Sequence, residues 1–492
     1  EVGHMILVGT FSTLIFLLML TCAPNQKDTV VVLYDRAPRT LDPHLRNELV
    51  TISILSNIYE GLVDYTPELE LVPRLAKTWF QVDSLTWQFE LREEVVFHNG
   101  KSLHSDDVVY SLYRPFKLAN AEVGSLARII DTIYAINSSR ITIKTRFPYY
   151  FLPNELPHIY IIPKDYYNFD KPVGTGPYRV VNISKDSIVC QQNEKYWGNK
   201  PRVKKGIFKF IPDIKLSIEL LKSNNAQIVY GIPFDYYQQL KDVIKMVIRK
   251  GTAVRSIQLN IKSYPYNNIA LRQAVSLAMN RPELVEKIYY GLAEPANQYI
   301  PAGVIGYCSD LPPLEYNPDK ARLIIKRTGK KIKVNFSYAR PLQKLGSKIA
   351  DHMRAIGIEV NENSLGQEEF WQGVEKNIFD CYLISSIITS LDGFAGILEV
   401  DFHTYNPEKG EGLMNRSGYS NSEVDSLIKY TDTTEDPERR LALIGEIQRL
   451  LLNDMPAIPL VWEPRIYGIS DYIEFNPRLD QTIRFEEIGF KK

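Results

Sequence analysis

From Lys331 to Glu362 the chain reads KIKVNFSY, then LQKLGSKIADHMRAI, then Gly357, then IEVNE. The first and last runs are β-rich, and the middle one repeats its apolar residues at helical spacing. Strand, helix, strand in that order is a βαβ unit, which requires two parallel strands in one sheet with a helix on its face. FDCYLISS, from Phe379, adds another strand. Upstream, Asn280 caps a helix that Arg281 and Pro282 open and Gly291 follows; Pro318 opens PDKARLIIKRT, which Gly329 closes. Downstream, Pro437 begins PERRLALIGEIQRLLLN, whose apolar positions face a core, and PAIPLVW returns as a strand. This half of the chain is α/β.

The earlier part has a different texture. TVVVLYD, Thr29 to Asp35, reads as a buried strand, followed by the irregular RAPRTLDPH. LTWQFELR alternates, FHNGKSLH holds an Asn-Gly turn, and SDDVVYSLYR starts a helix with Ser105 as N-cap and two aspartates at the positive end of its dipole. DTIYAINSSRITIKT, Asp131 to Thr145, is a hairpin around Asn137, Ser138 and Ser139. Ile58 to Pro172 therefore reads as a small α+β unit. With 492 residues in all, roughly two to four domains are expected.

Lys plus Arg and Asp plus Glu each number 58, so no excess charge draws nucleic acid to this chain. The 30 Tyr and 5 Trp suit both packing and a wet binding cleft. From Met5 to Thr21 there is no charge, and Cys22 follows with a polar stretch behind it. Such a segment resembles a lipoprotein signal peptide with Cys22 as the lipidated residue; the other reading is a short transmembrane anchor. Either one exports the rest of the chain and tethers it to a membrane. Cys190, Cys308 and Cys381 remain, too widely spaced for a metal knuckle and implying no disulfide framework.

VGTGPYRV, Val173 to Val180, has the look of a phosphate loop but lacks the mechanism. No helix follows it, and Pro177 removes a backbone donor. HExxH and Gly-x-Ser-x-Gly are absent, and His98 and His104 flank a turn at no standard zinc spacing. Carboxylates such as Asp42, Glu60 and Asp392 are scattered, with nothing in the sequence to pair them as acid and base.

Six segments occur in an order that carries a resemblance: LDPHLRNELVTISILSNIYEGLVDY, LVPRLAKTWFQVDSLTWQFELREEVVFHNGKSLHSDDVVYSLYR, VGTGPYRV, NEKYWGNKPRVKKGIFKFIPD, LRQAVSLAMNRPELVEKIYYGLAEPANQYIP and YNPDKARLII. The chain from about Thr29 to about Ser470 resembles the extracytoplasmic solute-binding proteins of the dipeptide, oligopeptide and nickel type, family 5 of the binding proteins of ABC importers. The resemblance implies an α/β, two-lobed periplasmic-binding-protein type II fold with an extra α+β domain inserted in the first lobe. Residues 29–57, 173–255 and 466–492 would form the first lobe, 58–172 the inserted domain and 256–465 the second lobe, after a segment 1–22 that exports the chain.

It further implies capture of a small solute, an oligopeptide among them, in the interlobe cleft by lobe closure, and delivery to ABC permease subunits. The protein would be a monomer on the periplasmic or extracellular face of the membrane, without catalysis, cofactor or metal. Two alternatives are a sensor or chaperone-like binding protein acting without an importer, and a cleft hydrolase using carboxylates such as Asp392. Gly174, Thr175 and Gly176 would form a junction loop at the cleft edge, or else a plain turn. Tyr34, Asp35 and Arg36 end the first strand, where open α/β sheets bind ligands; Asn260 follows the strand VRSIQLN, and Tyr419 and Trp462 fall in segments that border the cleft in relatives. The aspartate that takes a peptide's α-amino group in such relatives aligns with Ile387, and Asp392 is the nearby acidic alternative.

Overall fold

The computed structural model describes residues 28–45, 48–118, 126–388 and 392–491. The apolar segment from Met5 and the candidate lipidation site Cys22 lie outside them. The fold is α/β and built on one eleven-stranded mixed sheet. Its path runs Ile358–Leu365, Ile332–Ala339, Cys381–Ile387, Met246–Leu259, Ala457–Ile469, Ile228–Tyr230, Thr29–Tyr34, Lys205–Phe210, Ser187–Gln192 and Tyr178–Ile183, with the short strand Glu294–Pro295 beside Ala457–Ile469.

The βαβ unit forms as its spacing requires. Ile332–Ala339 and Ile358–Leu365 pair in parallel from Ile332 opposite Ile358 to Ala339 opposite Leu365, and the helix Gln343–Ala355 connects them. Its buried side, Leu345, Ile349 and Met353, joins Val334, Phe336 and Leu383 in one apolar cluster. At the other end of the sheet Thr29–Tyr34 is flanked in parallel by Lys205–Phe210 and Ile228–Tyr230. Being covered on both faces, it is apolar at nearly every position.

Two long antiparallel strands, Met246–Leu259 and Ala457–Ile469, join these two halves of the sheet. Met246 to Arg249 pair with Gly468 to Arg465; the ladder then breaks and resumes with Ala253 opposite Glu463. Sequence patterning shows only part of these strands, because Gly251 and the charged Arg249 and Lys250 interrupt one and Pro464 the other. Proline is accepted here because Pro464 lies opposite the break, where no ladder bond is asked of it.

The stretch from Val63 to Ile162 holds a separate four-stranded antiparallel sheet in the order Ala76–Asp83, Thr86–Leu91, Arg140–Thr145, Ile130–Asn137. The hairpin turns at Ser138 and Ser139. The helix Ser105–Tyr113 packs Val108 and Leu112 against Phe89, Ile141 and Ile143. Ser105 is the first helical residue and not the cap: its Oγ donates to Asn137 O (2.6 Å), and His104 stands at the cap, its N–H donating to Asp107 Oδ2 (2.9 Å). A serine before an acidic pair fits either register, and contact with the hairpin decides it.

Candidate functional site

The break in the two long strands is the point where both halves of the sheet meet. A Cβ on Gly251 would lie 2.1 Å from Glu463 O, so glycine alone lets the backbones pass this closely. Beside it Thr252 is buried, and its Oγ1 donates to Ile388 O (2.6 Å). On the first-lobe side of the break, Arg465 donates through Nε to Gln481 Oε1 (2.9 Å) and lies over the Tyr230 ring (5.3 Å). The Tyr230 hydroxyl reaches the same Gln481 oxygen at 3.2 Å. Burial raises the Tyr230 hydroxyl pKa above its ordinary value, and Arg465, Arg36 and Asp35 are among the charges acting on it.

On the second-lobe side the strand Cys381–Ile387 ends beside the break, with Ser386 opposite Val254 and Ile387 opposite Ala253. Ser385 turns toward Glu463, whose carboxylate is saturated by Arg255 (3.0 and 2.8 Å) and the Tyr289 hydroxyl (2.6 Å). Burial opposes ionisation of Glu463, but Arg255 and these hydrogen bonds outweigh it and hold the carboxyl below its ordinary range. Ser386 points to the other face, where its Oγ donates to Asp401 Oδ2 at 3.3 Å. Asp401 sits on the short helix Val400–Phe402, which continues a π-helical turn, Phe394–Glu399. Its carboxyl is pushed up to about 7 by burial, which the Ser386 bond and the Arg416 charge only partly offset.

A third group of charges joins the α+β unit to the second lobe. Arg128 reaches Glu399 and, through Nη1, Asp432 Oδ2 (3.1 Å). Arg440, on the helix Pro437–Asp454, binds Asp392 Oδ2 at 2.6 Å and stacks 3.7 Å from the Phe151 ring centroid. Glu155 lies among these charges with no hydrogen-bond partner among the described residues. Its carboxyl is pushed up to about 7, first by burial and then by Asp392 and Asp432, against the pull of Arg440 and Arg128.

Several expected site residues are placed elsewhere. Tyr34 is a core residue, 1% exposed, its hydroxyl sharing a hydrogen bond with Ser53 Oγ (2.6 Å); only Asp35 and Arg36 beyond it are exposed. Gly174 and Gly176 make room for protein backbone and not for a ligand: a Cβ on Gly174 would lie 2.1 Å from Ile58 O, and one on Gly176 2.7 Å from it. Gly176 N donates to Ile58 O (2.9 Å), and the His98 ring bridges Gly174 N (3.3 Å) and Gly176 O (3.0 Å). Thr175 between them is fully buried. This loop is the neck where the chain leaves and re-enters the first lobe.

Asn260 and Tyr419 lie away from the break. At about 3.3 Å per residue, the run from Ala253 to Asn260 carries Asn260 roughly 23 Å from the break, where its N–H meets Asp380 O. Tyr419 is close to it in the fold: Ile261 N donates to Ser417 O, and the buried Tyr419 gives its hydroxyl to Asp454 Oδ2 (2.6 Å). Trp462, half-buried one position from Glu463, does lie beside the break and packs edge-on to Tyr307. Ile387 is beside the break as well, on the strand face opposite Ser386. Asp392 is 1% exposed and closed by Arg440, so it offers no open carboxylate. Asp42 is bound by Arg114 (2.6 Å) and Glu60 by Arg74 (2.6 Å), so the scattered carboxylates are each committed to an arginine.

Asp401 and Arg416 were not legible as site residues. They stand in EVDFHT and MNRSG, which match no motif, and only the fold brings Asp401 to Ser386 and the Arg416 charge within reach of Asp401. Among the described residues no group of three His, Cys, Asp or Glu side chains is placed to hold a metal ion.

Residues 70–400 match the family described as bacterial extracellular solute-binding proteins, family 5, middle. The glutathione-binding protein GsiB of Escherichia coli K12 is 26% identical over 478 residues, 92% of each chain, and that of Shigella dysenteriae is equally similar. Among solved structures, DppA of Helicobacter pylori in complex with the peptide STSA superposes with a TM-score of 0.84 at 21% identity, over 95% of this chain and 99% of that one. NikA of Staphylococcus aureus in complex with Ni(L-His)2 gives 0.81 at 19% identity, over 94% and 99%.

Proposed function

The chain belongs to the family 5 bacterial extracellular solute-binding proteins of ABC importers, and from that premise we propose that it captures a peptide-sized solute between its lobes by closure about the break in the two long strands. The single observation that carries this reading is the break itself. Both connections between the halves of the sheet lose their ladder at the same level, residues 250–252 opposite Pro464. Rotation there costs few backbone hydrogen bonds, whereas rotation within the continuous stretches of the pair would tear the ladder; the other irregularity, between Arg255 and Ser256, skips only Leu460 on the partner strand. The first lobe is then residues 28–57, 173–250 and 465–491, and the second lobe 253–463, with the α+β unit between Ile58 and Pro172.

A ligand shifts such a protein to its closed form only by binding that form better, so it must touch both sides of the break. Arg36, Asp35 and the Tyr230, Arg465 and Gln481 group face it from the first lobe. Trp462, Ser386 and Asp401 face it from the second. Charged and hydrogen-bonding groups outnumber apolar ones on this list, which favours a polar, charged solute such as a short peptide, glutathione included, over an apolar one. The closed form is what the permease reads. Cys22, lipidated, holds the protein at the outer face of the membrane; loss of labelled fatty acid from a Cys22→Ala variant checks this.

The reading is tested by thermal unfolding of the full chain in detergent, with pools of two- to five-residue peptides, glutathione and nickel–histidine. A ligand at about 100 times its Kd raises stability by roughly 2.7 kcal/mol. A shift with one pool identifies the solute class, and no shift with any of them removes the reading.

A further inference from the structure

At the last rung before the ladder between the long strands breaks, Arg249 stands directly opposite Arg465. Residues so paired on antiparallel strands share one face of the sheet with their Cβ atoms about 5 Å apart, and like charges in that position repel. The pair is set just past the carboxyl ends of two parallel strands. Thr29–Tyr34 and Ile228–Tyr230 run side by side, Tyr230 is opposite Tyr467, and Arg465 lies two residues beyond Tyr467 in the direction in which those strands end. Open α/β sheets take their ligands at such ends.

The protein supplies no anion between the two guanidinium groups. Arg465 is half-buried and makes no ion pair among the described residues. Its Nε donates to Gln481 Oε1 (2.9 Å), and its guanidinium carbon lies 5.3 Å from the Tyr230 ring centroid. Gln481 is buried, and the Tyr230 hydroxyl stands 3.2 Å from the same oxygen. These contacts hold the guanidinium in place and leave Nη1 and Nη2 without a hydrogen bond among the described residues. Gly231 adjoins Nη1, and a Cβ there would lie 3.8 Å from it, so the lack of a side chain keeps that space open. Arg249, also half-buried, has one ion pair, to the exposed Glu68 at 3.9 Å, and its buried Nε has no hydrogen-bond partner among the described residues. The other acids nearby are committed elsewhere, Glu463 to Arg255 and Tyr289, and Asp480 to Arg478 and Thr482. The exposed Asp35 pairs with neither arginine. Two arginines face to face without a shared counter-charge carry a repulsion and an unmet buried donor, both of which a bound anion removes.

The complement of this pair is an oxyanion with two acceptor atoms. We propose that Arg249 and Arg465 together bind a free carboxylate of the solute, Arg465 through the fork of Nη1 and Nη2 and Arg249 from the facing strand, with Gln481 and Tyr230 as positioning residues. The proposal rests on the solute-capture reading above and narrows its substrate class to solutes that carry a free carboxylate and lie with that end against the first lobe. For a peptide this is the unmodified carboxyl terminus. An amide in its place has no charge and offers one acceptor atom where the carboxylate offers two.

The test takes the carboxylate from the ligand and the charge from the protein. Calorimetric titration of the full chain in detergent compares trialanine with its carboxyl-terminal amide, and glutathione with the derivative amidated at both carboxyls; inorganic sulfate is titrated alone. In whichever pair binds, the acid should bind roughly tenfold or more tighter than the amide, as expected for loss of a charge-assisted, two-pronged contact. Arg465→Gln and Arg249→Gln should each bring that ratio close to one. A merely structural role for either arginine would weaken acid and amide alike and keep the ratio. Arg465→Lys, which retains the charge without the fork, should give a ratio between those of the parent and Arg465→Gln, and it carries the comparison if the glutamine variant does not fold. Equal binding of acid and amide by the unaltered protein overturns the inference, as does survival of the ratio in either variant. It is likewise overturned if sulfate binds and neither acid does, or if both pairs are ignored by a protein that binds another solute from the pools. If no solute of any kind binds, the solute-capture reading itself fails, and the inference with it.

Discussion

The α+β unit touches the rest of the molecule in two places that are built from different materials. At the neck, Gly174 and Gly176 lie against the Ile58 backbone, and a neutral His98 ring ties the two glycines together. Across from it, the same unit meets the second lobe through Arg128, Phe151 and Glu155 against Glu399, Asp432, Asp392 and Arg440. Backbone in van der Waals contact has one arrangement and cannot slide, because interiors packed at that density have no room to yield. Charges on side chains can part and be taken up by water. The first contact is a fixed joint, and the second is one that water can replace.

The largest effect should come from the joint. Gly174→Val puts branched carbon where Ile58 O already stands, 2.1 Å from the Cβ position. We expect a loss of about 4–5 kcal/mol, at the upper end for single substitutions, measured by denaturant unfolding. A variant within about 1 kcal/mol of the parent would show that the neck can yield and would erase the contrast.

Next comes the ionic contact. Arg440→Leu leaves Asp392 buried without its arginine, a change that costs about 3–4 kcal/mol, while adding Asp392→Leu should recover most of it. If the double variant is no better than the single one, the pair does more than neutralise its own burial.

The two contacts should also respond to pH in opposite directions. Burial holds His98 down to about 4, so the folded chain refuses a proton that the unfolded chain takes near its ordinary 6.5. The stability that the neck draws from neutral His98 is whole above pH 6.5 and is lost as pH falls toward 4. Glu155 is held up to about 7 against an ordinary 4.5, so the folded chain keeps a proton that the unfolded chain gives up. Its contribution is whole below pH 4.5 and is lost as pH rises toward 7. Glu155→Gln should therefore gain on the parent between pH 4.5 and 7, by on the order of 1–2 kcal/mol once solvent screening of a half-buried group is allowed for. A constant difference across that range would mean that Glu155 is not the group that titrates.

The smallest effect is the control. Arg146 and Asp131, on the same unit, pair at 3.3 Å with about half of each side chain exposed, 53% and 50%. Arg146→Ala should change stability by no more than about 0.5 kcal/mol. A larger loss would show that exposed charge contributes on this unit as well, and that burial is not what separates Arg440 from Arg146.

Much of the fold was legible because its signals are local. The βαβ unit around Gly357, the hairpin at Ser138 and Ser139, the cap Asn280 and the helix starts at Pro318 and Pro437 each depend on residues a few positions apart, and each forms. The six ordered segments were enough to point to the family and its two lobes. Where the sequence is silent the cause is distance along the chain. VGTGPYRV showed that glycine was required but not by what: Ile58, more than a hundred residues earlier, is the answer. Asn260 follows a strand whose rise carries it away from the break, and the bond from Ile261 N to Ser417 O takes the Tyr419 segment with it, a contact that no local pattern announces.

By itself, then, the sequence determined which segments become strands and helices, that they alternate as an α/β chain, and which family shares their order. Those features are set by backbone propensity, capping and apolar period, all of which act within a turn or a pleat. Tertiary structure alone decided that Gly251 and Pro464 break two strands at one level, that Asp392 is closed by Arg440, and that Asp401 meets Ser386. Whether a charge is satisfied depends on its neighbours in space, and those neighbours come from distant segments that only packing brings together.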